Sequence, residues 1–265
     1  MTYKFFEIER KNTTTFVFMN SPQNRNLMSW AFWEELPRLM KELGEDESTR
    51  VVVLAARGKS FSLGLDIPDM AEKFEFLQKS DSAEDRGRLR KLILQMQHSI
   101  NSVADCPKPV IAAVQKHCFG GGLDLVSACD LRLCTTDVQF SLYEVNVAIV
   151  ADVGSLQRLP AIVGEGNLKE MAYTGKMIKS QRAYDMGLVN EVFPDYDALL
   201  KGAEKWASEI ASHSPFVVSG VKHVLEASRG LSLSESLNYV ATYNSAFLQS
   251  VDFFDVMKKV KERNK

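Results

Sequence analysis

Ala112-Ala113-Val114-Gln115-Lys116-His117-Cys118-Phe119-Gly120-Gly121-Gly122-Leu123-Asp124 carries an apolar strand into three glycines, then opens a short helical run with a carboxylate in its first turn. Glycine lets backbone N–H groups approach a ligand with no Cβ in the way. A helix start leaves those N–H groups unpaired and adds the positive end of the helix dipole. Together these suit an oxygen that becomes negative during a reaction. Taken alone, three glycines equally describe a tight turn before a helix. The surrounding sequence decides between the two readings.

Residues 3–10 and 14–19 flank Lys11-Asn12-Thr13 and predict a β-hairpin. Ser29 precedes Trp30, Phe32, Trp33, Leu36, Leu39 and Leu43, the pattern of a serine-capped amphipathic helix. Residues 51–56 and 110–114 read as buried strands, with a loop over 60–66 after the first. Helices are expected over 70–78 and 86–105. The polar stretch 79–85 between them reads as a mobile lid or disordered loop. Short strands are expected at 131–134, 138–140 and 188–192, and helices at 153–162, 165–173 and 180–186. From residue 197 the pattern is helical only, with Pro215 after Ser214 marking one helix start. The expected organisation is α/β: a core over 1–195 and a helical C-terminal region over 196–265.

The 265 residues are 45% hydrophobic, enough for one sizeable core. A net charge of −2 gives no global attraction to nucleic acid or an anionic membrane. No apolar run is long enough to span a bilayer. Acidic residues occur too early for a signal or transit peptide, so the expected location is cytoplasmic. Cys106, Cys118, Cys129 and Cys134 have no CxxC spacing and read as reduced, buried thiols. His98, His117, His213 and His223 have no ligand spacing with them, and no metal site is expected.

Three acids fall within or close to apolar stretches: Asp124, Glu144 and Asp152. An acid in such a place must be solvated, paired or functional. Asp124 at a helix start is favoured by the dipole, and Asp152 fits a cap for a helix beginning near Val153.

Jointly, residues 60–66, 114–130, 140–160 and 183–189 resemble the crotonase, or enoyl-CoA hydratase/isomerase, superfamily over nearly the whole chain. The resemblance implies a crotonase-like spiral of ββα units, with a helical C-terminal region that drives trimerisation or pairing of trimers. It implies an acyl-CoA thioester substrate, with CoA part of that substrate and no separate cofactor. The family's two oxyanion donors map onto the backbone N–H groups of Leu63 and Gly121. Two such donors stabilise an enolate by about 3 kcal/mol each. Asp124 and Glu144 stand where hydratases carry two catalytic glutamates, and the shorter Asp124 departs from that pattern. Asp152 stands where hydratases usually have glycine. The Asp–Glu–Asp set is similar to the Δ3,5-Δ2,4-dienoyl-CoA isomerase subfamily. It implies proton removal at C2 by Glu144 and delivery at C6 by Asp152, with Asp124 tuning charge or holding water. A hydratase and a silent acyl-CoA-binding homologue are the alternatives.

The resemblance also implies a CoA site. Arg25 fits a phosphate contact, since a guanidinium offers several donors, or a solvated loop residue. Ser62, Leu63, Gly64, Asp66 and Gly121 line the expected CoA path, although Asp66 fits a turn or helix cap equally. Phe74, Phe76 and Leu77 fit either an acyl pocket or core packing.

Overall fold

The computed structural model describes residues 2–21, 23, 25–76 and 82–263. Its larger sheet runs β1 (Phe6–Lys11), β2 (Thr14–Met19), β3 (Val51–Ala56), β4 (Val110–Val114), β6 (Leu131–Thr135) and β9 (Glu191–Phe193), in that spatial order. The first pair is the expected hairpin, antiparallel, with Lys11 opposite Thr14 and Asn12 in the left-handed region. All later pairings are parallel. Every residue of β2, β3 and β4 is buried. Continuous apolar runs take the centre of a parallel sheet because both of its faces are covered.

The period of two divides those strands between two cores. Val17, Met19, Val52, Leu54, Ala112 and Val114 face a large core with Trp33, Leu36 and Leu39 of α1 (Trp30–Glu45). Phe16, Phe18, Val51, Val53, Ile111 and Ala113 face a second core, closed by Leu199, Ala203, Ala207 and Ala211 of α8 (Tyr196–Ala211). Small residues at every fourth position let that helix lie close to the sheet. It therefore belongs to the first compact unit, which ends at Ala211, one helix beyond the boundary expected at 195/196. The second unit contains α9 (Pro215–Ala227), α10 (Leu233–Phe247) and α11 (Val251–Arg263). A capping box between Ser232 and Glu235 starts α10.

A smaller sheet holds β5 (His117–Phe119), β7 (Gln139–Ser141) and β8 (Ile178–Lys179). The strand expected to run straight into the glycines is broken: Lys116 takes a left-handed conformation, and the chain leaves β4 for the smaller sheet as β5. Ser62 then bridges Cys118, so the 60–66 loop runs alongside β5. Asn26 stitches the preceding loop to it, donating to Arg57 O and Ser60 O at 2.9 Å each. Beyond β5 come α4 (Gly121–Ser127), a 3-10 turn (Tyr143–Val147), α5 (Ser155–Val163), α6 (Glu165–Thr174) and α7 (Ser180–Asp185).

Some boundaries differ from expectation. Asp66 caps α2 at Ile67–Lys73, rather than over 70–78. Ser82 caps α3 at Ala83–Ala104, so residues 82–85 of the expected lid start that helix, while 79–81 lie outside the described residues. Leu188 and Val189 are buried outside the final strand, which starts at Glu191.

Ala203→Leu is expected to overpack the α8–sheet interface and cost about 1–3 kcal/mol in urea unfolding. An unchanged midpoint would show that α8 does not pack on the sheet.

Candidate active site

The bridge between Ser62 and Cys118 brings two glycine segments together. An ideal Cβ on Gly64 would stand 2.9 Å from Phe119 O and 3.4 Å from Gly121 N, and Gly64 has φ of +88°. Only glycine meets both conditions. The Gly120 carbonyl accepts from Leu123 N and Asp124 N, at 2.7 and 3.1 Å. In a trans peptide the N–H points opposite to the C=O, so the Gly121 N–H points out of the helix start.

The same reasoning identifies the facing donor. Leu63 N–H donates to Arg25 O at 3.3 Å, and Gly64 N–H donates to Ser62 Oγ at 3.0 Å. Both are therefore engaged. The Gly64 carbonyl accepts from Met28 N at 2.7 Å, which turns the Leu65 N–H away from Met28. That N–H has no acceptor among the described residues. The expected donor Leu63 is thus corrected to Leu65, two residues on, because the loop's own hydrogen bonds consume the Leu63 amide.

Gly64, Leu65 and Gly121 line one cavity of about 430 Å³, together with Asp124, Glu144 and Asp152. Asp124 is fully buried. Its Oδ1 accepts Ser155 N–H at 2.6 Å and its Oδ2 has no partner. Burial pushes its pKa up to about 6, with bonds from Ser155 opposing and the Asp152 charge adding to the rise. Glu144 sits on the 3-10 turn after β7, with Oε1 3.3 Å from where a Gly120 Cβ would stand. Its Oε2 is buried without a partner. Burial first, then the Asp124 charge, pushes its pKa up to about 7. Burial also raises Asp152, which is half-buried. Asp152 is not a helix cap, since Gly154 holds the cap position of α5.

Apolar side chains line other parts of the cavity, among them Trp33, Met96, Ile149 and Met177. Arg25, His117, Phe119 and Tyr143 also line it. Phe119 and Tyr143 stack at 5.9 Å and 11°. Burial, Lys116 and Arg25 lower the His117 pKa.

Two expected CoA residues have other work. Ser62 is fully buried, and its Oγ donates to Asn26 O at 2.8 Å while accepting from Gly64 N. It braces the loop and does not line the cavity. Asp66 accepts Asp69 N–H as the cap of α2. Phe74 packs against the main core, Phe76 lies under the Arg88 guanidinium, and Leu77 falls outside the described residues. The sequence reading missed Leu65, Ser155, Trp33 and Met96. Only Ser155 carried a signal, as the first polar residue after Asp152.

An α/β fold with paired backbone donors and clustered acids defines an enzyme of the acyl-CoA type, and comparison with known proteins agrees. Residues 9–265 match the family model described as enoyl-CoA hydratase/isomerase, and the chain belongs to that family. It is 43% identical over 258 residues to the peroxisomal Delta(3,5)-Delta(2,4)-dienoyl-CoA isomerase of Arabidopsis thaliana, covering 95% of this chain and 92% of that protein. It is 42% identical over 248 residues to the mitochondrial isomerase of that name from Rattus norvegicus, covering 93% and 76%. Among solved structures, an enoyl-CoA hydratase from Bacillus anthracis superposes with a TM-score of 0.88 at 28% identity, covering 98% of this chain and 97% of that one.

Raised carboxyl pKa values mean that the folded state holds protons the unfolded chain releases. The stabilisation from those protons is complete below about pH 4 and is lost as pH rises through about 6 and 7. Asp124→Asn and Glu144→Gln are therefore expected to be more stable than the parent at pH 8, by about 1–3 kcal/mol. The gap should close near pH 4. Denaturant titrations at the two pH values measure it, and equal gaps would show that burial does not perturb these acids.

Proposed function

We propose that this chain isomerises 3,5-dienoyl-CoA thioesters to 2,4-dienoyl-CoA. The observation that carries this reading is a third carboxylate, Asp152, lining the cavity that holds Asp124, Glu144 and two unengaged backbone donors. The thioester oxygen accepts from Leu65 N–H and Gly121 N–H. Ionised Glu144 takes the C2 proton, the C2–H electron pair forms a C1=C2 bond, and the carbonyl π pair moves onto the thioester oxygen, giving an enolate conjugated with the diene. Protonated Asp152 then gives its proton to C6. The C2–H bond breaks and a C6–H bond forms, while the double bonds move from 3,5 to 2,4. Glu144 ends protonated and Asp152 ionised, and exchange with solvent resets the pair. C2 and C6 are too far apart for one carboxylate to serve both, which is what a third acid adds to a two-acid site.

CoA is part of the substrate, and the chemistry calls for no further cofactor because the thioester itself acidifies C2. Arg25 at the cavity is our choice for a phosphate contact. We further propose a homotrimer or a dimer of trimers. The second unit supports this: Leu225, Leu233, Leu237, Val251 and Phe254 are exposed on its helices, more large apolar surface than a lone chain usually shows. No described helix is long and apolar enough to cross a membrane. Four free, buried cysteines suit a reducing compartment, the cytoplasm in our reading. Cell fractionation distinguishes this from the peroxisomal and mitochondrial names of the relatives.

The purified protein given a 3,5-dienoyl-CoA should produce the longer-wavelength absorption of a conjugated 2,4-dienoyl thioester, with little hydration of a 2-enoyl-CoA. Glu144→Gln and Asp152→Asn should each lower kcat by about 10²–10⁴-fold. Efficient hydration with no diene shift would replace this reading with a hydratase. Binding without turnover would replace it with a silent homologue. Gly64→Ala should lower kcat by about 10²–10³-fold, because an added Cβ forces the two oxyanion donors apart. Unchanged kcat in that variant would remove the Leu65–Gly121 assignment. With Glu144 as the base, kcat/KM should rise as pH increases through about 7.

A further inference from the structure

The segment that carries Asp152 is held from outside the active site by one face of α3. Gln97 Nε2 donates to Asp152 O at 2.6 Å, the sole partner of that carbonyl among the described residues. One turn further along α3, Asn101 Oδ1 accepts from Arg158 Nη2. Arg158 Nη1 reaches back to Val153 O at 3.5 Å. Residues four apart on a helix lie on one face, so α3 grips both ends of the 152–158 segment. The helix itself is anchored: Ser99, Ile100 and Val103 are fully buried in the core, and Met96 lines the cavity.

The consequence for Asp152 follows from backbone geometry. Its carbonyl belongs to the peptide that follows it, so fixing that oxygen limits rotation about Cα–C. That in turn sets the direction of the Cα–Cβ bond on which the carboxyl rides. The bonds from Ser155 N–H to Asp124 Oδ1 and from Arg158 to Val153 O hold the segment from Val153 onward, so among the described residues only the Gln97 bond acts on the Asp152 carbonyl itself. The other two acids are fixed separately. Glu144 hangs from the 3-10 turn, and Asp124 is tied to Ser155 N.

We infer that Gln97 is a positioning residue, which sets the reach of the Asp152 carboxyl toward the far end of the acyl chain through the Asp152 carbonyl. The inference rests on the isomerase reading, in which Glu144 works at C2 and Asp152 at C6. It assigns Gln97 to the second proton transfer alone.

The two transfers separate in deuterated water. Exchange of the C2 proton, followed by NMR, reports the Glu144 step, and formation of the 2,4-diene reports the step at C6. Gln97→Leu removes the donor at similar volume. Gln97→Glu keeps a polar side chain that does not donate when ionised, and serves if the leucine variant does not fold. In each variant, diene formation should fall by about 10- to 100-fold while C2 exchange stays within about twofold of the parent. A parallel fall of both, or no change in either, overturns the inference, because a merely structural role moves the two together. The parent protein is the control for the underlying reading: absence of diene formation there refutes the isomerase function itself, independently of Gln97.

Discussion

The close approach of Gly64 to the Phe119–Gly121 backbone is the contact on which the catalytic arrangement depends. It joins two loops from different parts of the chain at a spacing that excludes even a methyl group. Each loop arrives already bonded. Ser62 ties the first to Asn26 and to β5, and Gly120 N–H ties the second to Ser141 O at 3.0 Å. Further bonds engage the Leu63, Gly64, Asp66 and Phe119 amides, while the Leu65 and Gly121 amides have no acceptor among the described residues. On the proposed reading, an oxyanion hole made this way is organised before substrate binds, because its donors are left over from holding the loops. The small sheet adds to this junction, since its β7 leads into the turn that carries Glu144. One junction therefore locates both the proposed donors and the proposed base.

The acids show the opposite economy. Burial raises all three, and the Asp124 and Asp152 charges raise Glu144 further. The folded chain accepts that strain in place of well-solvated carboxylates. On the proposed mechanism, what it gains is a base that titrates near neutrality beside an acid held toward its protonated form. Arg158 and the Ser155 amide offset part of the penalty at Asp124.

Much of this was legible in the sequence, for identifiable reasons. The continuous apolar runs at 51–56 and 110–114 admit few places other than the middle of a parallel sheet. Each of Asp124, Glu144 and Asp152 lies in or beside an apolar run, and that contradiction marks a site before any coordinates exist. The Leu63 assignment failed because the choice among neighbouring amides depends on which carbonyl faces which strand. That is a tertiary fact, set by Met28 and Arg25 from the loop before α1. Ser62 and Asp66 failed for a related reason. A short polar side chain in a loop serves a ligand or the loop itself, and only the location of its partner decides. The break between β4 and β5 was hidden because strand propensity continues across Gln115–Lys116, while the change of sheet is made by one left-handed residue. The 195/196 boundary missed by one helix since helical periodicity says nothing about which body a helix packs on.

The three acids are not equivalent, and their burial separates their roles. Asp124 is sealed, with one oxygen held by Ser155 N and the other facing no donor. A carboxyl so placed is poorly suited to swing between two carbon atoms. Its charge instead acts on Glu144, whose pKa it raises. Glu144 and Asp152 are each only half-buried, and their carboxyls are bonded to their own backbone rather than to another residue's amide. A substitution of glutamate by aspartate at 124 fits this division. The shorter side chain lines the cavity with one oxygen held by Ser155 N–H, while the other two acids carry no bond from Ser155. Asp152 then needs a fixed reach of its own, because no neighbouring carboxyl is placed to correct it. The hold of α3 on the Asp152 backbone and the fixing of Asp124 by Ser155 are thus two sides of one arrangement, which suits the proposed handling of protons at the two ends of the acyl chain by separate groups.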